Sequence, residues 1–251
     1  MIELILLLIW GLCVGLMVGF TAVGKGLLGV PGLIVIFQMP PIVAVGSMAV
    51  AGFVMMLSGS VQHYRCGNVV PRIAVLFSVT AVPASYLGAR FADTLNAFLP
   101  LQFVIGVVIL ASVAVLFYRY VIARAEPRKL RVARWQLVLS PVLGVALGAL
   151  MGATSISGSV IVIVFIMALK LPSPKAVGTT SFVSAISLLL ASVAHVQEGN
   201  VDWAVVACLT PGAIAGAALS ARYAERAPRQ VLRVVILAVL LAAGVMLLLD
   251  A

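Results

Sequence analysis

The sequence predicts an all-α integral membrane protein of about ten hydrophobic segments, folded as two five-segment inverted repeats that each contain a broken or re-entrant hairpin. Three observations lead there. Apolar residues make up 64% of the chain and charged residues 9%, with a mean hydropathy of +1.26, whereas soluble domains are roughly half apolar and a quarter charged. The apolar residues come in blocks of about 15 to 22, the length a helix needs to cross a hydrocarbon core of roughly 30 Å. Short motifs of the first half also recur in the second at constant spacing.

Taken in order, the apolar runs lie near residues 2–21, 26–38, 41–62, 70–90 and 100–118, and then near 135–152, 157–169, 175–195, 203–221 and 230–249. The first run carries Glu3 where a secretory signal would carry basic residues, so it reads as a permanent segment rather than a leader. Cys13, Cys66 and Cys208 are odd in number and lack metal-ligand spacing, so neither a disulfide framework nor a metal site is expected, and no cofactor motif is present.

The net charge of +9 belongs to membrane topology rather than to nucleic acid, because the basic residues flank apolar runs and no groove-reading motif is present. The stretch 119–134 holds Arg119, Arg124, Arg128, Lys129, Arg131 and Arg134 against the single acid Glu126, which makes it a cytoplasmic linker. Counting segments outward from it puts Arg65, Arg72, Lys170, Lys175, Arg222, Arg226, Arg229 and Arg233 on the same side, fourteen of the sixteen basic residues in all. Glu3, Asp93, Glu198, Asp202 and Asp250 fall on the other side, as do both termini. A multi-pass membrane protein with both ends outside the cytoplasm is the expected arrangement.

Ala44-Val45-Gly46 recurs as Ala176-Val177-Gly178, and His63 with Gly67-Asn68-Val69 recurs as His195 with Gly199-Asn200-Val201. The spacing from Gly46 to Gly178 is the same as from His63 to His195 and from Gly67 to Gly199. Arg90 meets Arg222 at that repeat spacing too, and Gly11, Gly15 and Gly19 meet Gly144, Gly148 and Gly152 with a single residue inserted. Repeats spanning residues 1–118 and 135–251 follow. Because each holds an odd number of segments, the second enters the membrane from the opposite side, the architecture of many secondary transporters, with substrate sites near the midplane at broken helices.

The first two runs of each repeat are too short for two full crossings and a turn, so their tips should lie inside the bilayer. The first tip is Gly24-Lys25-Gly26 and the second runs from Thr154 through Ser155, Ser157 and Gly158 to Ser159. Irregular backbone survives at that depth only where protein or a water-lined cavity satisfies it. A helix restarting at each tip would aim its free N–H groups and positive dipole end at the same region, a favourable place for an anion. Lys25 is the one ionisable side chain this reading puts within the membrane, where an unpaired charge costs on the order of 2.5–3.5 kcal/mol, and a bound anion is its obvious partner. Thr179 and Thr180, early in a long segment, could add hydroxyl donors or bond back to the preceding turn. The glycines at four-residue spacing read as close-packing positions between helices.

With these motifs in view, the chain resembles the sulfite exporter family known as TauE/SafE. The resemblance rests on GFTAVGKGLLGVP (Gly19 to Pro31), PPIVAVGS (Pro40 to Ser47), LPSPKAVGTTS (Leu171 to Ser181) and the two Gly-Asn-Val stretches, and covers almost the whole chain. It implies transport of sulfite, thiosulfate or small organosulfonate anions across a bacterial inner membrane. Lys25 interrupts the family's glycine run.

His63 and His195 end long segments at opposite faces, where interfacial residues are common, and their recurrence also suits gating or coupling. Apart from Glu3 at the outer edge of the first run, no apolar segment carries an Asp or Glu, so any proton coupling would run through these histidines, Lys25 or the substrate itself. A passive anion channel is the main alternative. An intramembrane enzyme is the weaker one, since neither HExxH nor GxSxG is present and only the serines of the second tip could act as nucleophiles. The expected partners are therefore a small anionic substrate and the lipid bilayer.

Overall fold

A computed structural model of the chain describes residues 2–21, 25–121, 133–156, 158–223 and 229–249. Every regular element in them is helical. The helices are α1 (Ile2–Thr21), α2 (Val30–Val35), α3 (Pro41–Arg65), α4 (Pro71–Arg90), α5 (Ala92–Phe98), α6 (Leu101–Val121), α7 (Arg134–Thr154), α8 (Gly158–Met167), α9 (Ser173–Gln197), α10 (Trp203–Tyr223) and α11 (Arg229–Leu249). A π-helical turn, Lys25–Gly29, leads into α2. Among the described residues four helices, α3, α4, α7 and α9, are long and apolar enough to cross a membrane, and a fifth candidate is formed by α5 with α6, bent by 93°.

The helix boundaries follow local chemistry. Pro41 and Pro71 open α3 and α4, where the missing N–H is no loss and φ is already helical. α3 and α9 both end in a Schellman motif: Asn68 N–H reaches His63 O at 2.8 Å and Gly67 N–H reaches Tyr64 O at 2.9 Å, while Asn200 reaches His195 at 2.9 Å and Gly199 reaches Val196 at 3.1 Å. Gly67 and Gly199 take φ of 67° and 74°, which only glycine adopts without strain. The recurring His…Gly-Asn pattern is thus, in the first place, a helix stop. α5 was not expected from the sequence, because Asp93, Thr94 and Asn96 make its stretch read as a polar loop. Pro100 ends it, and Asn96 Oδ1 accepts the Leu101 N–H at 2.8 Å to start α6.

Glycine lets the long helices approach to backbone contact. A Cβ on Gly11 or Gly15 of α1 would lie 2.2 or 2.0 Å from the Leu209 or Ala213 carbonyl oxygen of α10, and one on Gly148 or Gly152 of α7 would lie 2.4 or 2.0 Å from the Ala81 or Ser85 oxygen of α4. This is the small-residue packing that membrane helices use when lipid is no less apolar than their partners. Around the resulting core, Phe77 and Phe165 meet edge-on at 5.1 Å. Hydroxyl residues such as Ser85, Ser140, Thr154, Thr179 and Ser184 are fully or nearly fully buried, while Val79, Val138, Val142 and Ile214 face outward.

Polar contacts gather at two ends of the bundle. At one, Arg90 pairs with Glu198 at 3.7 Å, Tyr86 OH donates to Gln197 at 2.8 Å, and Asn200 donates to Asp93 at 2.8 Å. At the other, Lys175 donates to the Gly67 carbonyl, Lys170 lies 5.8 Å from the Trp135 ring centre, and Gln136 donates to the Leu169 carbonyl. The acidic loops therefore share one end and the basic loops around 65–72 and 170–175 the other.

Candidate functional site

The two helix breaks expected to be hairpin tips meet. A Cβ on Gly26 would sit 2.7 Å from both Ile156 Cα and Ser155 O, so the first tip touches the second backbone to backbone, and the missing side chain is what allows it. Ser155 closes α7 with φ 56° and ψ 4°, a left-handed conformation in which serine is strained and glycine would not be. It is 1% exposed, and its hydroxyl has no hydrogen-bond partner among the described residues. Thr154 is committed to backbone: its hydroxyl donates to Leu150 O at 2.7 Å and accepts from Ile156 N–H at 3.3 Å. α8 starts at Gly158 and the π-helical turn at Lys25, so a helical segment begins at each tip. Gly24 and Ser157 lie outside the described residues, as do the side chains of Lys25 and Ser159.

Thr179 and Thr180 face different surroundings. Thr179 accepts the Val70 N–H at 3.0 Å, which ties the start of α9 to the start of α4. Thr180 is 2% exposed, with a hydroxyl that has no partner among the described residues. The corresponding contact on the other side is Asp202 N–H to Ser47 Oγ at 2.9 Å. Asp202 is the repeat counterpart of Val70, and Ser47 that of Thr179. Likewise a Cβ on Gly46 would lie 1.9 Å from Asn200 O, and one on Gly178 would lie 2.3 Å from Asn68 O.

The two histidines are not alike. His63 is half-buried at the basic end. His195 is completely buried, with Nε2 3.0 Å from the Gly152 carbonyl oxygen and Nδ1 without a partner among the described residues. It is an interior residue against the last turns of α7 rather than an interfacial one.

A family model described as sulfite exporter TauE/SafE matches residues 7–247. The chain belongs to the TauE/SafE family. Among its TauE/SafE-like relatives, the protein named probable membrane transporter protein YjnA of Bacillus subtilis (strain 168) is 28% identical over 251 residues, 96% of this chain and 98% of the relative. YdhB of the same organism, named in the same way, is 26% identical over 236 residues, 93% of this chain and 96% of the relative. No solved structure matches the chain.

Within this TauE/SafE protein, sequence reading overlooked Ser184 and Ser187 on α9 and Ser78 on α4. All three are buried and carry hydroxyls without a partner among the described residues. The signal was available: Thr180, Ser184 and Ser187 are spaced i, i+4, i+7 and so share a helix face.

Proposed function

We propose that this TauE/SafE protein is a secondary transporter that moves sulfite, thiosulfate or a small organosulfonate across the bacterial inner membrane, binding it near the midplane where the hairpin tips meet. The contact of Gly26 with Ser155 and Ile156 carries this reading. Two interrupted helices brought together inside an apolar bundle offer N–H groups and positive dipole ends to one place, and a small oxyanion satisfies both. Lys25 supplies the formal charge on this reading, and Ser155 and Thr180 add hydroxyl donors. The relatives named as membrane transporters agree with it.

The scaffold of the proposal is ten membrane segments in two inverted repeats, 1–118 and 135–251, joined by the basic linker 119–134, with both termini outside the cytoplasm. Its support is the contacts that recur between repeat counterparts and the gathering of acidic and basic loops at opposite ends. Any proton coupling runs through His63, His195, Lys25 or a proton carried by the substrate.

Flux of radiolabelled sulfite into proteoliposomes tests the function. The expected result is saturable uptake that exceeds equilibrium when an ion gradient is imposed. Uptake that only equilibrates would indicate a passive channel, and absence of flux for sulfite, thiosulfate and organosulfonates alike would overturn the reading.

A further inference from the structure

The polar face of α9 is confined to one half of the molecule. Serine and threonine inside helices ordinarily donate to the carbonyl three or four residues back, and here Ser181 and Ser192 do so, to Val177 at 3.0 Å and Leu188 at 2.6 Å. Thr180, Ser184 and Ser187 do not. They are 2%, 0% and 0% exposed, and none has a partner among the described residues. Ser78 on α4 joins them: it lies two turns before Ser85, whose hydroxyl donates to the Ser187 carbonyl at 2.9 Å, so it shares the face that α4 turns toward α9. The same face of α9 continues to His195, whose Nδ1 is also without a partner. A buried polar group that is never satisfied keeps its full desolvation cost, so a row of them calls for a ligand or water that satisfies it in another state.

The repeat counterparts of Thr180, Ser184, Ser187 and His195 on α3 are Met48, Gly52, Met55 and His63, so the first half has no equivalent hydroxyl row. The seams differ as well. Where α4 and α9 pack tightly enough to bury Ser78 and Ser187, the equivalent helix α10 carries a shallow apolar surface depression of about 580 Å³, lined by Val206, Thr210, Pro211 and Ile214 among others and by Val54 of α3. Thr210 lies where Ser78 recurs at the repeat spacing; the residue is partly buried, and its hydroxyl oxygen, like that of Ser78, is buried and without a partner among the described residues.

We propose that the seam between α4 and α9 is a gate, and that the hydroxyls of Ser78, Thr180, Ser184 and Ser187 are the polar lining an oxyanion meets when it opens. The proposal rests on the transporter and inverted-repeat reading above. Rotatable hydroxyl donors without fixed partners suit an anion that must be held and then released, since none has to break a protein hydrogen bond to engage it. Opening by separation of α4 from α9 would bring these hydroxyls to water.

Cysteine accessibility decides it. Thr180→Cys, Ser184→Cys and Ser187→Cys, each placed singly in a protein whose Cys13, Cys66 and Cys208 are replaced by serine, are labelled in proteoliposomes with the anionic reagent sulfonatoethyl methanethiosulfonate. Ser192→Cys, on a different face of α9, serves as the comparison. Labelling of the three positions on the order of tenfold faster than Ser192→Cys is expected if the seam opens to water during gating. No labelling of folded protein at all three, or equal labelling at Ser192→Cys, overturns the gate. Because the reagent reports water access whichever anion is carried, a failure of the sulfite reading leaves labelling intact, and a failure of the gate leaves flux intact.

Discussion

Ser155 holds a backbone conformation that suits glycine, in the interior of the bundle and with an unpartnered hydroxyl. Relief of a left-handed serine is worth about 1–2 kcal/mol, so Ser155→Gly should raise the thermal unfolding temperature of the purified protein, and an unchanged or lower temperature would show that the serine is not strained. Strain of this kind gathers at functional sites, which accords with the role proposed for the Ser155 hydroxyl. Lys25→Gln should weaken anion binding by about 1.5–3 kcal/mol, the scale of a hydrogen bond to a charged group, with expression and insertion intact; calorimetry on the folded variant measures it. Replacing both His63 and His195 by Gln should flatten the pH dependence of uptake if the histidines carry protons, and a profile that survives unchanged removes them as carriers. At this scale the sequence was informative about residue type and little else. The hydroxyl cluster at the second tip could be read from its letters, but the left-handed turn at Ser155 and the burial of His195 depend on how α7 meets α4 and α9.

Between elements, glycine decides how closely helices approach. Gly148→Ala forces a Cβ to within 2.4 Å of the Ala81 oxygen, and overpacking of this kind costs about 1–3 kcal/mol, so the α4 and α7 pair should loosen and the unfolding temperature fall. Gly59 in α3 has no atom within 4 Å of its would-be Cβ, and there alanine should stabilise the helix by up to about 1 kcal/mol. The contrast between the two variants, read by the same thermal scan, separates packing from helix propensity. The apolar runs and the two helix breaks were legible in the sequence because hydrophobic length and Gly/Ser punctuation are local signals. The pairing of α1 with α10 and of α4 with α7 was not, since a glycine row shows that a helix has a close partner without saying which. α5 was hidden by its polar residues, and its 93° bend into α6 required the geometry of Pro100 and Asn96.

For the whole molecule, charge is distributed by end: Arg90, Asp93 and Glu198 meet at one and Lys170 and Lys175 lie at the other. An alkaline phosphatase reporter fused after Ala251 should therefore be active, as the proposed topology puts the C-terminus outside the cytoplasm. A C-terminal reporter that works only in the cytoplasm would remove the inverted arrangement. The repeat was visible as a constant spacing between matching motifs, from Gly46 to Gly178 and from His63 to His195. The unpartnered hydroxyl row of α9 was not, because it depends on which side chains the packing buries. The central claim is that the two tips form one anion site, and calorimetric titration of sulfite into wild-type protein and Ser155→Gly tests it most directly. Saturable binding to the wild type is expected, weakened by about tenfold or more in the variant, as loss of a hydrogen bond to a charged group implies. Equal affinity in the two proteins, or no binding to either, would contradict it.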